Sequence, residues 1–191
     1  MKDVYELALG GTAVGTGINA PEKFGEKIAK YLKKETGLPF VSAPSKFEAL
    51  SSEDALGHLS SALRRVACAM LKIANDIRFY GSGPRCGIGE MILPANEPGS
   101  SIMPGKVNPT QCESMSMVAL EIMGNDSTIG MACSQGQFQL NVYRPIIIYN
   151  LVRSIHLMKD SLESFRTRCL DGLIPNQERI QHHLDQSLML A

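Results

Sequence analysis

Between Asn96 and Pro109 the chain gathers the residue types of a loop that handles anions. Ser100 and Ser101 are adjacent hydroxyls, Lys106 is a fixed cation and Asn108 a neutral donor. Gly99 and Gly105 let the backbone pass close to a ligand and aim N–H groups at it. Pro109-Thr110 then opens a predicted helix, whose N-terminus favours negative charge, and Glu113 falls in its first turn. The chemistry this allows is the capture of carboxylates beside a nucleophile or base. The bland alternative is a flexible connector with a solvated lysine.

The elements that must hold such a loop are helices. Leu56, Leu59, Leu63, Val66, Met70, Ile73, Ile77 and Tyr80 form a heptad stripe, the seam of a long bundle helix. Alanines 55, 62, 67, 69 and 74 lie between these positions and permit close approach on other faces. Gly81-Ser-Gly-Pro84 ends that helix, and Cys86 to Pro109 reads as a long Gly- and Pro-rich loop. From Thr110 to about Met131 apolar residues occur all round the predicted helix, as expected of one buried in a core or an oligomer. A further helix is expected from about Val142 to Cys169, with Pro145 in its first turn or kinking it. Asn176 is a predicted N-cap for a last helix to Leu190. Nearer the start, Pro21 is expected in the first turn of an amphipathic helix that runs to about Glu35. No segment alternates as a strand does, so the fold class is all-α, a bundle of long helices.

Other features narrow the function. With 19 basic against 19 acidic residues, net charge gives no reason to expect nucleic acid or an anionic membrane as a partner. The five cysteines show no CxxC pair, so zinc is not expected, and they read as reduced thiols; no metal or other cofactor is expected. Gly10-Gly-Thr-Ala-Val-Gly-Thr-Gly17 looks like a phosphate loop but lacks the Lys-Ser/Thr ending and a preceding strand. The first residues do not form a signal peptide, and no apolar run has membrane-spanning length, so a cytoplasmic location is expected, or an organelle matrix after loss of a presequence.

Gly99-Ser-Ser-Ile-Met-Pro-Gly-Lys-Val-Asn-Pro109 resembles the GSSxMPxKxNP signature of the fumarase/aspartase superfamily. Tyr5–Asn19, Lys72–Gly87, Met123-Gly-Asn-Asp126 and Gln139-Leu-Asn-Val-Tyr-Arg-Pro145 are similar to class II fumarase, and Thr110-Gln-Cys-Glu113 fits fumarase better than aspartase. The resemblance implies reversible hydration of fumarate to L-malate. It makes Ser100 the catalytic base, assigns the substrate carboxylates to Ser101, Lys106 and Asn108, and gives Glu113 a part in catalysis. It also implies a homotetramer whose active sites take loops from three subunits.

The resemblance has gaps. The family's acid is a histidine in a Thr-His motif, and none of His58, His156, His182 and His183 lies in one. Relatives are more than twice this length. The 191 residues are therefore expected to be the central helical domain alone, without its flanking domains and without hydratase activity of their own. An aspartate ammonia-lyase and a non-catalytic helical assembly module stay open as alternatives.

Overall fold

The computed structural model describes residues 2–190 and is 60% helical. Among the described residues six α-helices carry the fold: α1 (Phe24–Thr36), α2 (Lys46–Ser51), α3 (Asp54–Tyr80), α4 (Thr110–Cys133), α5 (Arg144–Arg168) and α6 (Gln177–Asp185). The strands are two residues long: β1 (Glu6–Leu7) pairs in parallel with β2 (Val41–Ser42), and β3 (Met91–Ile92) pairs antiparallel with β4 (Ile174–Pro175). The all-α class read from the sequence is what the structure has. The chain divides into two compact units, one holding the residues up to Arg65 with Ile122–Ile155, the other Val66–Glu121 with the residues from His156 onward.

In the first unit Leu56, Leu59 and Leu63 of α3 pack against Ile129 and Ala132 of α4 and Ile147 and Leu151 of α5. Polar side chains fix the register of these helices. Asp126 accepts from Ser60 Oγ at 2.6 Å and pairs with Arg64 Nε at 2.8 Å. Its neighbour Asn125 donates to Ser154 Oγ at 3.1 Å. Asn141, fully buried, donates to the carbonyls of Ala132 and Gln135 and accepts from the Tyr143 amide, closing the turn from α4 into α5. Arg144 then pairs with Glu53 and donates to the Leu50 carbonyl. The MGND and NVYRP segments are thus structural fasteners. The glycine-rich segment near the start serves close approach: a Cβ at Gly15 would stand 2.8 Å from the Phe47 backbone.

In the second unit Met70, Ala74 and Ile77 of α3, Cys112 and Met115 of α4, and Phe165 and Cys169 close a core with Leu93 and Leu173. The Cys112 and Cys169 sulfurs are 4.0 Å apart, and both are free thiols.

Four expectations need correction. Pro21 lies outside α1, whose N-cap is Lys23 in a left-handed conformation, so Pro21 belongs to the preceding turn. The short helix α2, capped by Ser45 accepting from the Glu48 amide, falls where no helix is expected, since six residues carry too little periodicity to read. The last helix stops at Asp185 rather than Leu190. The heptad stripe is not uniformly buried: Val66 and Ile73 are exposed, while Ala67 and Ala74 are fully buried. On α3 the close approach is made by alanine. Pro145 takes the second position of α5, where its missing N–H leaves no bond unmade.

Candidate active site

The loop that carries the candidate residues is held at both ends. On its N-terminal side the segment from Gly87 to Asn96 is tied down by partners far away in sequence. Arg179 donates to the carbonyls of Ile88 (3.1 Å) and Gly87 (3.3 Å), and Asn176 donates to that of Gly89 (3.0 Å). The Asn176 amide also donates to the Glu90 carbonyl at 2.8 Å, continuing the β3–β4 pairing, and His183 meets the Glu90 carboxylate at 3.0 Å. Asn96 donates to the Arg168 carbonyl at 2.7 Å, at the end of α5. On the C-terminal side Cys112 and Met115 sink the first turns of α4 into the core. The stretch expected as one long loop is therefore half anchored, and the remainder projects.

Local chemistry shapes the projecting part. Met103-Pro104-Gly105-Lys106 has the pattern of a type II turn: the Lys106 amide donates to the Met103 carbonyl at 3.2 Å, and Gly105 sits at φ +79°. This turn folds the loop back on itself. Gly99 lies so close to the returning backbone that a Cβ there would stand 1.7 Å from the Lys106 carbonyl oxygen. Asn108 donates to the Gly99 carbonyl at 3.2 Å, a second tie across the same gap. The Ser100 hydroxyl oxygen accepts from the Ile102 amide at 3.3 Å.

The five candidate residues divide accordingly. Ser100 and Asn108 are half-buried, on the two arms that Gly99 joins. Ser101 and Lys106 are exposed. Glu113 is half-buried in the first turn of α4, its amide donating to the Pro109 carbonyl at 3.0 Å. Among the described residues no hydrogen bond joins any two of the five side chains. Pro109 has no side-chain donor or acceptor to cap α4, so the first N–H groups of this 24-residue helix stay available beside the loop.

None of the histidines reaches the loop by a hydrogen bond. His58 pairs with Asp3 at 2.7 Å and His183 with Glu90, while His156 and His182 are exposed. Among the described residues no group of three His, Cys, Asp or Glu side chains is gathered as metal ligands. Two features escaped the sequence reading. The Ile102 amide on Ser100 is a backbone contact with no residue signature. Arg179 and Asn176 anchor the loop across about ninety residues of sequence, and only the N-cap pattern at Asn176 hinted that the segment was structured.

A family model described as lyase matches residues 1–124, and the chain belongs to that family. Over all 191 residues it is 56% identical to the class II fumarate hydratase of Helicobacter pylori (strain ATCC 700392 / 26695) and 57% identical to that of Thermosynechococcus vestitus. In each case it covers 41% of the relative, so the chain spans about two fifths of the length of these curated relatives. The crystal structure of recombinant class II fumarase from Schistosoma mansoni superposes with a TM-score of 0.94 at 45% identity, covering 99% of this chain and 44% of that one.

Proposed function

We propose that the chain is part of a fumarate hydratase and supplies the base side of its active site. The observation that carries this is the folded signature loop, in which Gly99, Ser100, Lys106 and Asn108 are drawn to one place within a chain similar throughout its length to class II fumarate hydratases.

In the malate-to-fumarate direction Ser100 takes a proton from the carbon beside a carboxylate, and that carboxylate takes up the charge. A serine hydroxyl is a weak base, so its alkoxide needs donors. The Ile102 amide is aimed at the oxygen, and the Lys106 ammonium stands on the neighbouring arm. Lys106, Asn108, Ser101 and the open end of α4 hold the substrate's carboxylates, and Glu113 orients the site from the first helical turn. Such groups act most strongly where charge develops in the transition state. The acid comes from outside these 191 residues, which on this reading form the central domain and do not complete the reaction alone.

Assembly belongs to the same proposal. Met117, Leu120 and Met131 of α4 and Tyr149 and Val152 of α5 are large apolar side chains left exposed. Exposed apolar side chains of this kind favour association, here into a homotetramer in which several subunits contribute to each site. The location proposed is the cytoplasm; no helix among the described residues is long and apolar enough to cross a membrane.

The test is to supply the intact protein with fumarate and, separately, with L-aspartate. Malate from fumarate supports the reading. Fumarate and ammonia from aspartate, with no hydration, overturns it.

A further inference from the structure

The signature loop has a second face. Behind it lies a cavity of about 460 Å³, within the range of small-molecule sites, whose wall includes Gly105, Val107 and Pro109. These are alternate positions of the loop. Lys106 and Asn108, which lie between them, are not part of the wall, and neither are Ser100, Ser101 and Glu113. The wall of the cavity therefore shares no residue with the proposed catalytic groups.

Its lining has a defined polarity. Arg78, in the last turn of α3, and Arg179, in the first turn of α6, are its charged members. Among the described residues Arg78 has neither a hydrogen-bonding nor an ion-pair partner. Arg179 engages two of its donors with the Ile88 and Gly87 carbonyls, leaving the rest of the guanidinium to a ligand. Among the described residues no carboxylate lines the cavity to neutralise either arginine. Met91, Leu93, Val107 and Pro84 give the wall an apolar part, and Ser82 and Asn176 add neutral polar groups beside the arginines. Two planar guanidinium groups suit a carboxylate or phosphate, and the apolar wall suits a compact hydrocarbon or aromatic body.

We propose that this cavity binds a small organic oxyanion, a carboxylate or phosphate head on a compact apolar body, at a site separate from the catalytic face of the loop. The proposal does not depend on the reaction the protein performs, because Arg78, Arg179 and the apolar part of the wall alone would hold the ligand.

The probes are phenyl phosphate and benzoate, with inorganic phosphate and phenol as controls that keep only the head or only the body. Binding to the intact protein is followed by calorimetry. Phenyl phosphate, benzoate or both should bind saturably at one site per chain, more tightly than either control, and the stronger of the two names the preferred head. Arg78→Gln should weaken that binding about tenfold or more, since a charge-assisted contact is lost. Ile92→Glu, on the exposed rim of the same cavity, should abolish it by turning a carboxylate on the arginines. Ser100→Ala should leave it unchanged. The proposal is overturned if neither probe binds saturably, if Arg78→Gln and Ile92→Glu bind as the parent does, or if Ser100→Ala alone abolishes binding, which would put the probe on the catalytic face.

Discussion

The backbone of Gly99 rests on the carbonyl of Lys106, seven residues along, so closely that a methyl group at 99 would stand 1.7 Å from that oxygen. This contact sets the distance between the arm with Ser100 and the arm with Lys106. The first prediction follows directly. Gly99→Ala must push the arms apart, and a displacement of about 1 Å in a catalytic array costs on the order of 100-fold in rate. Turnover should fall by about that factor while the melting temperature holds, because Asn96 and Cys112 anchor the loop outside the disturbed part. Steady-state kinetics beside a thermal melt checks this, and turnover like the parent's would mean the contact is not needed.

A second prediction concerns Arg144 and Glu53. Glu53 is nearly buried and sits at φ +57°, and its carboxylate is paired with Arg144 at the start of α5. Arg144→Met leaves that carboxylate without its cation, at a cost of about 2 kcal/mol. Adding Glu53→Gln should recover part of the loss by removing the stranded charge. Urea unfolding of the single and double variants measures both. A double variant less stable than Arg144→Met alone would contradict the ion-pair account.

A third prediction is a pH dependence. Burial pushes the Cys112 thiol from its ordinary 9.0 up to about 12, with Cys169 beside it adding to the shift. The folded state therefore keeps a proton that the unfolded chain releases above pH 9. The stabilisation from the neutral thiol is fully present below pH 9 and is lost progressively as pH rises toward 12. The melting temperature should fall more steeply over that window in the parent than in Cys112→Ala. At pH 8 an alkylating reagent should leave Cys112 and Cys169 unmodified until the protein is unfolded. Prompt labelling of Cys112 in the native protein would refute this.

How much was legible beforehand depended on range along the chain. The α3 stripe repeats every three or four residues, so a local reading found the helix, and Gly-Pro clusters found the loop after it. Such a reading could not find α2, whose six residues are too few to show a period, nor the burial of Ala67 and Ala74 in preference to Val66 and Ile73, which depends on what faces α3. The candidate site was legible in the same partial way. Ser100, Ser101, Lys106, Asn108 and Glu113 stand within fourteen residues and were read from type and resemblance. The Gly99–Lys106 approach, the Ile102 amide on Ser100 and the anchors from Asn176 and Arg179 are backbone geometry or distant pairings, which residue types do not encode.

The central claim is that this loop supplies the base of a fumarate hydratase, and Ser100→Ala in the intact protein tests it most directly. Malate formation from fumarate should fall by about 100- to 10,000-fold, the range lost with a general base, with the assembly state and melting temperature unchanged. A Ser100→Ala protein that hydrates fumarate at close to the parent rate would contradict the account.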